Sequence, residues 1–109
     1  MTSNKRTTSD ELDLLYQALA STNDARDIAL LLEDLCTIRE VNEMAQRLTV
    51  ARLLLDSLPY TAISEQTGAS ATTIARVSKA LYHGAGGYST VFDRLQGQRG
   101  APLPRPEAG

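Results

Sequence analysis

Residues 70–82 carry side chains suited to contact a nucleic acid. The segment is predicted to be a helix, and its outward face carries small hydroxyls, methyl groups and two cations. The residues of this face are Ser70, Ala71, Thr72, Thr73, Arg76 and Lys79. Hydroxyls donate to phosphates and bases, small methyl groups contact thymine methyls, and arginine binds phosphate, guanine or a carboxylate through paired hydrogen bonds. The pattern favours either a DNA-contacting face or an ordinary solvated helix face.

Few residues in the sequence could act as catalysts. The chain has one histidine, His83, and one cysteine, Cys36. A histidine at a helix C-terminus is stabilised in its charged form by the helix dipole, and a lone cysteine is typical of a small core residue. The sequence has no phosphate-binding glycine loop, zinc-ligand spacing or Ser-His-Asp order. We therefore expect neither an enzyme nor a metal site.

The segment 60–82 has the spacing of a helix-turn-helix. Gly68 stands where a tight turn needs a residue that tolerates positive φ. Ile63 precedes this glycine by five residues, and Ile74 and Val77 follow it by six and nine. These apolar side chains would hold two short helices at a steep angle around a shared core. The turn therefore favours DNA contact by the outward face of the second helix.

Two amphipathic helices are predicted near the start of the chain, because apolar residues recur there at steps of three and four. The first should begin near Ser9 and end near Ala20. Thr22 or Asn23 is expected to cap the second, which should end by Cys36.

A third and longest helix is predicted over residues 38–57. It follows a Thr37-x-x-Glu40 capping box, in which two side chains satisfy free amide groups at the helix start. Its segment 48–55 is apolar on most sides, which predicts burial on most sides. A homodimer formed through helix 38–57 would supply that cover. The alternative is a monomer in which the first two helices cover it.

The remaining segments complete the expected organisation. Residues 1–8 are predicted to be a flexible arm, residues 9–96 a single helical domain, and residues 97–109 a disordered tail rich in glycine and proline. Residues 83–87 contain three glycines and are predicted to be a flexible break. One short helix should follow this break.

Composition limits the class of protein. The chain has 109 residues, of which 42% are hydrophobic and 5% aromatic, which suits one all-α domain. The net charge of −2 argues against a nucleic-acid binder, but residues 67–109 hold five basic and two acidic residues. The single cysteine and the lack of a long apolar run predict a cytoplasmic protein without a membrane partner.

Several short motifs resemble the Trp-repressor family. The resemblance covers about residues 10–95 and depends on four segments: Thr37-Ile38-Arg39-Glu40, Gln46-Arg47-Leu48, Tyr60 to Ser70, and Thr73 to Ser78. Leu81-Tyr82-His83-Gly84, running into Gly86-Gly87-Tyr88, is more similar to the uncharacterised YerC/YecD branch than to the tryptophan-sensing repressor.

The resemblance implies an all-helical, intertwined homodimer that represses transcription by binding double-stranded DNA. Its two recognition helices, residues 70–82, would enter successive major grooves of a two-fold symmetric operator. Tyr60, Thr61 and Ser64 would approach the DNA backbone.

The resemblance also implies a possible small-molecule corepressor. Thr37, Arg47 and Arg76 occupy the positions that hold the ligand in the tryptophan-sensing repressor. Val77 and Ala80 argue against tryptophan, because the first replaces a glycine beside the indole and the second replaces a serine that holds the amino group.

Other interpretations of the same residues remain open. Another small anion or amino acid could bind the two arginines. Alternatively, no effector is needed, Arg47 pairs with Glu43, and Arg76 contacts phosphate. A helical protein-protein adaptor without DNA binding is the alternative function, because the net charge is negative.

Overall fold

A computed structural model of the protein describes residues 8–99, and side chains within residues 9–96. This part of the chain contains six α-helices and no strand, which confirms the all-α prediction. The helices are α1 (Thr8–Ala20), α2 (Ala25–Leu35), α3 (Ile38–Leu55), α4 (Tyr60–Thr67), α5 (Ala71–His83) and α6 (Gly87–Arg99). Within the described residues no helix is long and apolar enough to cross a membrane.

The chain divides into two compact units, Met1–Val41 and Asn42–Gly109, and the division falls within α3. The first unit contains α1, α2 and the start of α3. The second contains the rest of α3 and the three helices that follow. The proposed arm before residue 8 and residues 100–109 of the proposed tail lie outside the described residues.

The helix ends of the first unit are fixed by side-chain hydrogen bonds. The Thr22 hydroxyl donates to the Leu19 carbonyl oxygen at 2.7 Å, at the end of α1. The carboxylate of Asp24 accepts from the Arg26 amide at 2.7 Å and caps α2. The predicted cap at Thr22 or Asn23 is therefore wrong. Asp24 is the residue that has extended backbone and a carboxylate within reach of the free amide.

The start of α3 confirms the predicted capping box. The Thr37 amide donates to Glu40 Oε1 at 2.8 Å, and the Glu40 amide donates to Thr37 Oγ1 at 3.1 Å. The helix then runs for 18 residues and is the longest of the described helices.

The end of α3 comes two residues earlier than the predicted residue 57. Ser57 has a left-handed backbone with φ of 66°, and the Leu58 amide donates back to the Leu53 carbonyl oxygen at 3.1 Å. Leu58 then packs against the core. The chain therefore turns sharply after α3 where Leu58 becomes partly buried. The sequence has no glycine at this turn that would have predicted it.

The core of the second unit gathers apolar side chains from all four of its helices. The largest fully buried ones are Leu53, Ile63, Ile74, Val50 and Val77. The remaining buried members of the cluster are Ala51, Leu54, Ala69, Leu81 and Phe92. The prediction that segment 48–55 is buried on most sides is correct for its middle residues, whereas Leu48 and Leu55 remain 45% and 44% exposed.

The connection between α5 and α6 is shorter than the predicted break over residues 83–87. His83 is the last residue of α5 and Gly87 is the first of α6. A Cβ at Gly84 would collide with the carbonyl oxygen of Ala80, so this position requires glycine. The final helix has 13 residues instead of being short, and its last three continue into the segment predicted as a tail.

Candidate nucleic-acid interface

Helices α4 and α5 form the predicted helix-turn-helix. Gly68 ends α4 with a left-handed φ of 76°, and its amide donates to the Ser64 carbonyl oxygen at 2.8 Å. Ala69 is buried immediately after the turn, and Ser70 caps α5. The glycine thus reverses the chain within three residues, because it adopts a conformation that costs other residues energy.

Side-chain hydroxyls stabilise this turn. The Ser64 hydroxyl donates to the Ala69 carbonyl oxygen at 2.9 Å. Thr67 Oγ1 donates to the Ile63 carbonyl oxygen at 2.7 Å and accepts from the Ala69 amide at 3.1 Å. The turn therefore satisfies its backbone groups internally, and the Ser64 hydroxyl already has a partner within the chain.

A contact from α3 holds the turn in place. The side-chain amide of Gln46 donates to the Thr67 carbonyl oxygen at 3.1 Å. Neither residue was predicted to have this role. Gln46 is a polar residue on the buried side of a long helix, which indicates that it has a hydrogen-bond partner. That partner is 21 residues away, and no local pattern in the sequence identifies it.

The two faces of α5 differ sharply. Ile74, Val77 and Leu81 are buried, with 0%, 2% and 6% of their surface exposed. The opposite face carries most of the residues predicted to contact DNA. Ser70, Ala71, Thr72, Arg76 and Lys79 are exposed, and Thr73 is half-buried. The core side of α5 therefore fixes the helix and leaves a polar, cationic face open.

Some hydroxyls at the start of α5 already make hydrogen bonds within the chain. Ser70 Oγ accepts from the Thr73 amide at 3.1 Å and donates to Thr73 Oγ1 at 3.1 Å. Thr72 is exposed at the same end of the helix. Among the predicted hydroxyl contacts of α5, Ser70 therefore has a structural role as a cap as well.

The start of α4 is open to a partner. Pro59 precedes it in extended conformation and supplies no side-chain cap to the first amide groups of the helix. Tyr60 and Thr61 are exposed there. Free amide groups at a helix N-terminus attract anions such as phosphate, because the helix dipole is positive at that end.

The local charge around this face is positive although the whole chain is acidic. No aspartate or glutamate occurs between Glu65 and Asp93, whereas Arg76 and Lys79 lie within that stretch. Both cations have exposed side chains. Helix α5 thus presents its cations without an acidic residue on the same helix, which suits a polyanion, whereas α4 carries the exposed Glu65.

Comparison with known proteins identifies the chain's relatives. The family model described as Trp repressor protein matches residues 10–96. The chain belongs to the Trp repressor protein family. The uncharacterised protein YerC of Bacillus subtilis strain 168 is 41% identical over 86 residues, which cover 79% of this chain and 83% of that protein.

Two solved structures of this family share the fold. A TrpR-like protein from Eubacterium eligens ATCC 27750 has a TM-score of 0.75 and 39% identity, and the match covers 86% of this chain and 95% of that one. A candidate Trp repressor from Staphylococcus aureus has a TM-score of 0.77 and 31% identity, covering 88% of this chain and 95% of that one. These matches confirm the predicted family and its helical fold.

The residues that the family resemblance implies for an effector site are Thr37, Arg47 and Arg76. Thr37 already accepts the Glu40 amide in the capping box of α3. Arg47 and Arg76 are exposed on α3 and α5. Val77 is buried in the core, where a glycine would leave space.

Ala80 lies beside an apolar groove of about 410 Å³ in the second unit. The other residues that line this groove are Leu48, Ala85, Gly86, Gly87, Tyr88 and Val91. The groove therefore offers no charged side chain to a ligand carboxylate or amine. For metal ions, the described part of the chain contains no group of three or more His, Cys, Asp or Glu side chains suitably placed.

Proposed function

We propose that this chain is a sequence-specific, DNA-binding transcriptional repressor that acts as a homodimer. In this proposal each α5 helix enters a major groove, and the two copies read the halves of a two-fold symmetric operator. The observation that carries the proposal is the α4–Gly68–α5 turn, which buries one face of α5 and leaves its hydroxyl-bearing, cationic face exposed.

Roles within the α5 face follow from side-chain chemistry. Arg76 can bind a guanine edge or a phosphate through two hydrogen bonds, and Lys79 can bind phosphate as a point charge. Ala71 and Thr72 are small and exposed at the start of the helix, where methyl contacts with thymine fit. We assign sequence reading to these residues and to Thr73.

Backbone contacts are assigned to α4. Its uncapped N-terminus and the exposed Tyr60 and Thr61 would bind a phosphate beside the groove that α5 occupies. Ser64 is half-buried, and its hydroxyl donates to the Ala69 carbonyl oxygen. The hydroxyl oxygen can still accept a hydrogen bond. The hydroxyl can donate to a phosphate only if it first releases the Ala69 carbonyl oxygen.

A homodimer is supported by apolar surface that the chain itself leaves open on α3. The buried residues Val50, Ala51 and Leu53 of this helix belong to the chain's own core. Leu48 and Leu55 are nearly half exposed, and Ile38 is 76% exposed. Exposed leucine and isoleucine on the longest described helix suit a second copy better than water.

We further propose that DNA binding needs no tryptophan. Val77 fills the core beside Arg76, and Ala80 offers no hydrogen bond to an amino group. In this proposal Arg76 contacts DNA, and the protein has no catalytic residue.

The proposal is tested by selecting bound fragments from sheared genomic DNA, without added ligand, at low and moderate salt. The wild-type chain should enrich a two-fold symmetric motif, and its affinity should fall steeply with salt as counterions are released. Arg76→Glu should abolish enrichment. Arg26→Glu is the matched control, because it makes the same charge change on an exposed position of α2.

Two results would contradict the proposal, the first in its assignment of Arg76 and the second in DNA binding itself. Equal enrichment by the wild type and Arg76→Glu would remove Arg76 from the interface. If wild-type protein enriches no motif, with or without added amino acids, the adaptor interpretation of the negatively charged chain takes its place.

A further inference from the structure

Hydrogen bonds join α3 to the helix-turn-helix near both ends of α5. At the turn before α5, the side-chain amide of Gln46 donates to the Thr67 carbonyl oxygen at 3.1 Å. Near the last residue of α5, the Tyr82 hydroxyl donates to the Leu54 carbonyl oxygen at 3.5 Å. The second contact is long for a hydrogen bond between two oxygen atoms and is therefore weak. The bond from Gln46 is thus the stronger of these two links.

The Thr67 carbonyl group needs a partner from outside its own helix. Thr67 is the last residue of α4, and the final carbonyl oxygens of a helix have no acceptor role within it. Gln46 supplies the donor from α3, and both residues are half-buried. Loss of this donor would leave a half-buried carbonyl group unsatisfied, which costs more than the loss of an exposed hydrogen bond.

Close packing does not fix the distance between α3 and the end of α4 at this level. A cavity of about 320 Å³ lies between the two helices. Its lining residues, none of them charged or large and apolar, are Asn42, Ala45, Gln46, Thr49, Gln66 and Thr67. Well-packed side chains hold helices at a set distance, whereas a cavity does not. The hydrogen bond from Gln46 therefore spans a gap that packing leaves open.

In the proposed homodimer the position of the turn on α3 affects both copies of α5. Helix α3 forms the proposed interface, so a shift of the turn relative to α3 changes the distance and angle between the two α5 helices. Successive major grooves on one side of DNA lie about 34 Å apart, and each added base pair moves a half-site by about 3.4 Å. A small tilt of the turn would therefore misplace a recognition helix.

We propose that Gln46 is a positioning residue that sets the half-site spacing read by the dimer. It does not contact DNA and acts through the Thr67 carbonyl group and the turn that precedes α5. This inference rests on the proposed function, because it requires a dimer that reads two half-sites.

The test variant is Gln46→Met. Methionine is unbranched and of similar length, but it has no hydrogen-bond donor and no charge. A smaller residue would let water from the cavity bind the Thr67 carbonyl oxygen and mask the loss. Asn42→Met is the matched control, because Asn42 is an exposed amide residue one turn earlier on α3 and lines the same cavity.

Fluorescence anisotropy measures the affinity of each protein for three duplexes. They are the motif selected by the wild type, the same motif with one base pair inserted at its centre, and an unrelated sequence. Gln46→Met should bind the selected motif at least about threefold more weakly and bind unrelated DNA normally. Its preference for the selected motif over the inserted one should also fall at least about threefold.

A role in stability alone gives a different result. A smaller folded fraction would lower the affinity for all three duplexes by the same factor and leave the spacing preference unchanged. That result would overturn the proposal. Equal changes of spacing preference in Gln46→Met and Asn42→Met would overturn it as well, because the effect would then not depend on the bond to Thr67.

Amide hydrogen exchange in the protein without DNA separates this proposal from the proposed function. In Gln46→Met the amides of Gly68 and Ala69 should exchange at least about threefold faster, relative to the Leu53 amide in the core. Unchanged relative exchange would overturn the positioning role even if the wild type binds its motif. If the wild type enriches no motif, the proposed function fails and the role in spacing fails with it, whatever the exchange rates.

Discussion

The two units of the chain differ in how much of their apolar surface the chain itself covers. No described residue of the first unit is buried, although α1 and α2 carry regular apolar stripes. Leu14 and Leu30 are 60% and 52% exposed, whereas Leu53 and Ile63 in the second unit are fully buried. A helical apolar stripe predicts the helix, but it does not say which molecule covers the stripe.

The two units therefore differ in what is expected to stabilise them. The second unit has its own core, to which both helices of the helix-turn-helix contribute buried side chains. The first unit exposes apolar side chains that water disfavours, so we expect it to depend on association with a second copy. The following predictions test that division, beginning with the largest effect.

Leu53→Ala should lower the free energy of unfolding by about 2–5 kcal/mol, because it leaves a cavity in the core of the second unit. Urea denaturation at two protein concentrations measures this loss, which should be the same at both. Leu14→Ala on α1 is the matched control, since its side chain is 60% exposed, and in dilute protein it should cost less than about 0.5 kcal/mol. Equal losses in the two variants would contradict the contrast between the units.

Leu30→Glu should weaken the proposed dimer by at least about tenfold, or about 1.4 kcal/mol, because it would place a charge in an apolar interface. Sedimentation equilibrium over a range of concentrations measures the dissociation constant. Arg26→Glu makes a charge change on the polar side of the same helix and should leave association unchanged. A wild-type monomer at all concentrations, or an unchanged dimer in Leu30→Glu, would show that α2 does not form the interface.

Gly68→Ala should destabilise the second unit by about 1–2 kcal/mol, because alanine adopts the left-handed conformation at a cost. The φ of 76° makes this cost independent of the open space around the residue. Gly87→Ala is the control: a Cβ there also meets open space, and the residue begins α6, where φ is ordinary. Chemical denaturation should show a loss for the first variant and none for the second; equal effects would mean that the core does not hold the turn in its observed form.

Much of the local structure could be predicted from spacing alone. The capping box of Thr37 and Glu40, the turn at Gly68 and the cap at Ser70 all depend on residues within four positions of one another. Such signals are local, so the sequence carries them in full. The family resemblance and the all-α class, which also depended on short motifs and helical spacing, were confirmed by the family match and by the observed helices.

Other features depended on competition between similar residues or on distant contacts. Thr22, Asn23 and Asp24 are all good caps, and the sequence does not rank them clearly. The end of α3 depends on the packing of Leu58, and the hydrogen bond from Gln46 to Thr67 joins residues far apart in sequence. The candidate site was predicted as a set of exposed side chains, whereas its supporting contacts could not be.

Ser57→Gly should raise the free energy of unfolding by up to about 1 kcal/mol, the smallest effect expected here. Ser57 holds a φ of 66° between α3 and α4, where the packed core of the second unit imposes the turn. Glycine adopts this conformation without the clash that a Cβ causes, which should outweigh its greater freedom in the unfolded chain. Ser89→Gly, within α6, is the control and should lose about 0.5 kcal/mol, because its backbone is helical. Urea midpoints that shift in opposite directions would show that strain at Ser57 is maintained by the core, whereas a loss in both variants would place the serine in an unstrained turn.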